Sequence, residues 1–213
     1  MAKSKKPTLF LGIILFIFLA LGATYYIGFY PKSEVTNINS ISNFNQKMLL
    51  NKLTSNNLNI SSKEVSLETS IALSEDDLTD LFVNLIASNS KLSNIITGIK
   101  AEINDNKINV LLHLKYKGIP LEGNLVFSCE ALNGKCVLHY ESGNLGFISI
   151  NKDLIFSKLI SNEILDIDKE AGDIILKVKN LKGLEIKNLS IKNNEVIFTI
   201  KGTLNLQDLN KLK

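Results

Sequence analysis

The chain has 213 residues, 24 of them basic and 21 acidic, for a formal net charge of +3, and every basic residue is lysine. Charge this small and this interleaved makes no concentrated positive field, so no nucleic-acid partner is expected. With the first 30 residues set aside as a membrane-directed segment, the remainder is enough for one ordinary folded unit with its own core.

Residues 1–8 form a basic tail carrying Lys3, Lys5 and Lys6. Residues 9–30 contain no charged side chain, and as a helix they would run roughly 33 Å, enough to cross the hydrocarbon core of a bilayer. Only Lys32 and Glu34 follow closely, so the positive-inside bias predicts a cytoplasmic N-terminus and an extracytoplasmic C-terminal domain at the cell membrane. Tyr25, Tyr26, Phe29 and Tyr30 are placed for an outer aromatic belt. The rival reading is a cleaved signal peptide, with small residues around Ala20, Gly22 and Ala23; the apolar run continuing to Tyr30 argues for an uncut anchor.

Residues 31–60, rich in Asn and Ser, read as a stalk or linker merging into the domain, with a short helix expected over 44–53. The domain proper is expected over 61–213. Val65, Leu67, Thr69, Ile71 and Leu73 alternate with the period of a strand that buries one face. Ser74 and Asp77 then form an S-x-x-D capping box, and Glu75, Asp76 and Asp77 put negative charge on the helix N-terminus. Leu78, Leu81, Phe82, Leu85 and Ile86 recur at helical spacing, so one stripe can cover a sheet, fading near Asn89.

From Ile99 the pattern is a meander, turning at Asp105-Asn106, at Gly118 with Pro120, and at Asn133-Gly134, the strongest short hairpin signal in the chain. Asn151 caps a second expected helix whose apolar positions are Leu154, Ile155, Leu159, Ile160 and Ile164, with Asp153 in its first turn. Strands return around 174–178, 184–191 and 196–200, the last pair turning at Asn193-Asn194. The expected class is α+β: a mainly antiparallel β-meander sheet with two covering amphipathic helices, preceded by one N-terminal transmembrane helix.

Catalytic chemistry finds little footing. His113 and His139 sit beside apolar runs on predicted strands, with no neighbouring Ser, Cys or carboxylate pattern of a triad. Two Cys and two His at these spacings match no zinc tetrad, so no metal is expected, and no glycine-rich phosphate loop supports a nucleotide cofactor. Cys129 and Cys136 flank the Asn133-Gly134 turn as diagonal neighbours on one face. A bulge or wider loop would let them form a disulfide; otherwise they are buried thiols, and both readings are structural.

Leu111-Leu112, Val126-Phe127 and Ile174-Ile175-Leu176 put apolar residues on both faces of their strands. The bland account is a sheet covered on both sides; the sharper one is a groove for lipid tails.

The stretch Gly134-Lys135-Cys136-Val137-Leu138, the run from Gly143 through Ile150 into the helix at Asn151, and the closing segment from Leu189 to Phe198 resemble the YpmS-like family of membrane-anchored extracytoplasmic proteins. That family belongs to low-GC Gram-positive bacteria, a source that an Arg-free, Asn-rich and Lys-rich chain also suggests. The resemblance spans residues 65–205 and implies a domain that shelters lipid, with no catalytic residues carried over. The expectation is a non-enzymatic, membrane-anchored cell-envelope protein that binds a lipid or amphipathic envelope component. The candidate groove walls are Leu112, Leu114, Leu125, Phe127, Leu138 and Phe198. The alternative is a structural module that binds an envelope protein partner through exposed sheet edges.

Overall fold

The computed structural model describes residues 6–40, 48, 52, 54–60, 64–162, 165–176 and 184–205. The chain opens with helix α1 (Lys6–Gly28), of which Phe10–Gly28 is long and apolar enough to cross a membrane. Those nineteen residues rise about 28 Å, and none of that stretch is buried against the protein. The helix stops at Gly28, two residues short of the apolar run, and Phe29 and Tyr30 turn off its end by donating their N–H groups to Tyr25 O.

Strand β1 (Thr36–Asn37) follows, then β2 (Thr54–Ile60), β3 (Glu64–Ser74), helix α2 (Glu75–Ala87) and the single turn α3 (Ser90–Ser93). The meander is β4 (Ile96–Asn104), β5 (Lys107–Tyr116), β6 (Ile119–Leu132) and β7 (Lys135–Leu145), with β8 (Ile148–Ser149) folded back on β7. Helix α4 (Lys152–Phe156), β9 (Leu165–Asp168), β10 (Asp173–Leu176), β11 (Leu184–Lys192) and β12 (Glu195–Asn205) complete the described chain. The class is α+β with antiparallel sheets, as the patterning predicts.

The strands divide between two sheets. The larger runs β1-β4-β5-β6-β7-β10-β9 and the smaller runs β11-β12-β3-β2. Alternation alone announces a strand but not its neighbour, and so the division is absent from the sequence reading. The tight turns are the expected ones: Asp105-Asn106, Lys117-Gly118, Asn133-Gly134 and Asn193-Asn194 all have positive φ at both central positions. That is the type I′ geometry whose twist matches the strands it joins.

Two expectations change. Residues 31–60 are no simple stalk: Thr36 and Asn37 pair with Ile99 and Gly98 of β4, Ile38 is buried, and Thr54–Ile60 is the edge strand of the smaller sheet. Most of the helix expected over 44–53 lies outside the described residues. The second covering helix is only five residues long. Its apolar positions spread over about 260° of a helical wheel, against about 140° for the α2 stripe, so no single face could be buried along a longer helix. Local polar groups take over instead. Ser157 donates to Leu154 O, and Asn162 Oδ1 accepts from the Leu165 N–H. Ile164 and residues 177–178 of the last expected strands are outside the described residues.

Helix α2 forms as predicted, with Ser74 as N-cap and the full capping box with Asp77. It is pinned to the edge of the larger sheet, where Thr79 Oγ1 accepts from the Ala101 N–H at 2.9 Å and Glu75 Oε1 from the Ile103 N–H at 2.7 Å.

Candidate functional site

Cross-strand register puts Tyr116 opposite Ile119, Leu114 opposite Leu121, Leu112 opposite Gly123 and Val110 opposite Leu125. Directly opposed residues share a face, so one face of the β5–β6 pair is a continuous apolar wall. Phe82, Leu85 and Ile86 of α2 stand over that wall from one side. From the other side come Ile150 and, in and after α4, Leu154, Ile155 and Leu159. Between them lies a cavity of about 440 Å³, within the ~300–1,000 Å³ span of small-molecule sites.

The roof is two pieces joined by one bond. Asn89, only 4% exposed, donates from Nδ2 to Lys158 O at 2.6 Å and so ties the end of α2 to the segment after α4. Two lining rings, Phe82 and Phe127, continue into a row with Tyr140 and Phe156, centroids about 6 Å apart, in the tilted and edge-on contacts that aromatic pairs favour. The Tyr140 hydroxyl donates to Ile150 O at 2.6 Å, which fixes the start of the α4 segment. Gly123 helps keep the space open, since a Cβ there would point between Leu114 and Leu145 and come within 3.1 Å of Asn144 O.

Of the six residues named from the sequence as groove walls, Leu112, Leu114, Leu125 and Phe127 line this cavity. Leu138 and Phe198 do not. They meet Leu73, Leu78, Leu81 and Val196 around a void of only about 20 Å³, part of the filled core. The smaller sheet brings Phe198 to that side, and a sequence reading without the two-sheet division had no means of separating it from the cavity wall. The residues that reading missed are those of the roof, Leu85, Ile86, Leu154, Ile155 and Leu159, whose helical spacing was read only as sheet-covering.

The lining is hydrocarbon apart from Lys158 and the Tyr116 hydroxyl. Polar chemistry is gathered on the opposite face of the larger sheet. His139 Nδ1 lies 2.7 Å from Asp173 Oδ1, its directly opposed partner on β10, and Nε2 lies 2.9 Å from Glu130 Oε1. Burial pulls the His139 pKa down, but hydrogen bonds and charge from Glu130 and Asp173 outweigh it and raise the pKa above the usual histidine value. Both ring nitrogens are thus held by carboxylates. His113 Nε2 stands 3.5 Å from Glu122 Oε2 on the same outer face.

Glu122 Oε2 also accepts from the N–H groups of Lys32 and Ser33 at 2.8 and 2.9 Å. Burial raises its pKa, while these backbone hydrogen bonds, Ser33 and His113 lower it, and the net direction is down. The segment leaving α1 is thereby tied to β6.

Cys129 and Cys136 are free thiols. Cys129 opposes Leu138 and Cys136 opposes Ala131, so the two sit diagonally across a regular two-residue hairpin. Burial pushes their pKa values to about 11 and about 12, with the neighbouring Cys129 adding to the shift at Cys136. Thiols so rarely ionised are poor nucleophiles. Among the described residues no cluster of His, Cys, Asp and Glu could hold a metal ion. The chain matches no family model, no curated protein and no solved structure.

Proposed function

We propose that this chain is a non-enzymatic, membrane-anchored protein of the cell envelope whose extracytoplasmic domain holds the apolar part of a lipid in the cavity beneath α2 and α4. The observation that carries the reading is the cavity itself: about 440 Å³ walled by hydrocarbon, beside a neighbouring apolar void of only about 20 Å³. An apolar pocket of this size without converging polar groups suits an acyl chain better than a reacting substrate. The Lys-rich tail ahead of α1 supports a cytoplasmic N-terminus, and the YpmS-like resemblance points the same way.

The alternative, a scaffold that adds a partner strand to a sheet edge, is less well supported. On β4, two outward N–H groups are taken by Thr79 and Glu75. On β9, the Leu165 and Ile167 N–H groups are taken by Asn162 Oδ1 and Ser161 Oγ. The part of β4 beyond its pairing with β1, and the edge strand β9, are thus partly capped by side chains, a way in which proteins blunt strand addition.

The test is native mass spectrometry of the full chain, purified in mild detergent, beside Leu114→Trp, which fills the cavity from a half-buried wall position. A lipid mass retained one-to-one by the wild type and lost from the variant is the expected result. A wild type that carries no lipid while folded sinks this reading in favour of the scaffold.

A further inference from the structure

The cavity has a deep end and a shallow end. Phe127, Val110 and Ile174 line it with at most 2% exposure, whereas Ile95, Tyr116 and Leu154 line it at 41%, 57% and 62%. The exposed lining residues mark the mouth. Tyr116 is at the tip of the β5–β6 hairpin, and Ile95 is beside it, its carbonyl accepting from the Lys115 N–H at 2.7 Å.

That tip is also where α1 meets the domain. The Tyr25 hydroxyl donates to Pro120 O at 2.7 Å, and Tyr25 is three residues back from the end of the helix, about 4.5 Å along its axis. The hairpin tip is therefore within reach of one side chain from the last turn of α1. On the neighbouring β7–β8 turn, Phe147 packs directly on Gly28, where any Cβ would collide with the ring, and stands edge-on to Phe29 at 5.9 Å. Phe147, which touches the helix end, and its neighbour Ile148 are 67% and 59% exposed, and Ile119 on the hairpin tip is 51% exposed. An apolar rim of this kind is left uncovered by the protein at the level where a spanning α1 leaves the hydrocarbon core. Lysines flank it over aromatic rings, Lys117 above Tyr116 and Lys32 above Tyr26, the pairing of interfacial aromatic and snorkelling cation found at bilayer surfaces.

We infer that the rim formed by Tyr116, Ile119, Phe147 and Ile148 docks into the membrane leaflet from which α1 emerges, so that the cavity mouth opens onto the acyl-chain region. A lipid tail then enters the cavity from its own leaflet without crossing water. The occupant of the rim is the bilayer; that its lipid also fills the cavity rests on the function proposed above.

The protein contains no tryptophan, so a single introduced Trp reports its own surroundings. Ile119→Trp and Phe147→Trp place it on the rim. Leu132→Trp places it at the exposed far end of β6, thirteen residues from Ile119 and roughly 43 Å away along an extended strand. The full chain of each variant is reconstituted in phosphatidylglycerol–phosphatidylethanolamine vesicles with brominated acyl chains. Blue-shifted emission and several-fold stronger quenching at both rim positions than at Leu132→Trp is the expected result. Solvent-like, unquenched rim emission overturns the docking, even where native mass spectrometry finds bound lipid. Equal quenching at Leu132→Trp overturns it too, since the domain would then lie flat on the surface. Rim quenching in a chain that retains no lipid upholds the docking and removes the cargo reading instead.

Discussion

Asp77 shows how much one side chain can organise. Its Oδ2 accepts from the Ser74 N–H and the Ser74 hydroxyl, each at 2.8 Å, and is paired with Lys52. Burial raises its pKa, but Lys52 and Ser74 together carry it below the usual aspartate value. A lowered folded pKa contributes stability above the unfolded value of 3.8 that is lost as pH falls through the folded pKa. Asp77→Ala should cost about 1–2 kcal/mol at neutral pH, read as a lower urea midpoint in circular dichroism of the full chain in detergent. His139 works with the opposite sign. Because its folded pKa is raised above 6.5, the folded state holds the proton longer than the unfolded state does. Its contribution is complete below pH 6.5 and fades as pH rises through the folded pKa. His139→Gln should therefore flatten the decline of stability above pH 6.5 and leave the acid limb in place; a variant that tracks the wild type across that range would remove His139 from the account.

At the scale of elements, the join between α1 and the domain is the most specific feature. Gly28 allows the approach of Phe147, Gly146 at φ +57° turns the chain against Gly28 O and Phe29, and Glu122 holds the Lys32 and Ser33 N–H groups. Glu122→Ala leaves those two donors without their charged acceptor, a loss of about 2 kcal/mol for the docked segment. Trypsin should then cut after Lys32 faster in Glu122→Ala than in the wild type, and Gly28→Leu, which displaces Phe147, should do the same. Unchanged cleavage in both would mean that the segment is held elsewhere. Most elements of this kind were legible beforehand: the capping box at Ser74, the α2 stripe, and the turns at Asp105-Asn106, Asn133-Gly134 and Asn193-Asn194 are local signals. The helix that forms at α4 is shorter than its apolar content suggests, because those residues spread around the helix instead of along one stripe. Strand β9, four residues long, and the two-residue β1 and β8 are held by their partners and carry no pattern of their own.

For the whole molecule, the decisive feature is the contrast between a filled core and an open one. α2 serves both, with Leu78 and Leu81 facing the void of about 20 Å³ and Phe82, Leu85 and Ile86 facing the larger cavity. A ligand that binds only the folded state stabilises it by mass action. Stripping lipid by exhaustive detergent exchange should lower the thermal midpoint of the wild type, and adding lipid back should restore it. Leu114→Trp should show neither change, having filled the space with its own side chain. A midpoint indifferent to lipid in the wild type would count against an occupied cavity.

The sequence holds what depends on near neighbours along the chain. It marked an apolar helix at the N-terminus, strands by alternation, a helix by its cap and stripe, turns by Asn and Gly, and an antiparallel α+β class. Four of six wall residues were also within its reach, since alternation on one hairpin puts them on one face. Tertiary structure alone decided which strands share a sheet, and so sent Phe198 into the filled core, where it meets Leu138. It alone brought His139 to Asp173 across 34 residues and paired Thr36–Asn37 and Thr54–Ile60 with strands of the domain. It also brought the tip of the β5–β6 hairpin to the end of α1. Each of those outcomes depends on pairing between segments far apart in the chain, where the free energy lies in the contact and neither partner's local pattern contains it.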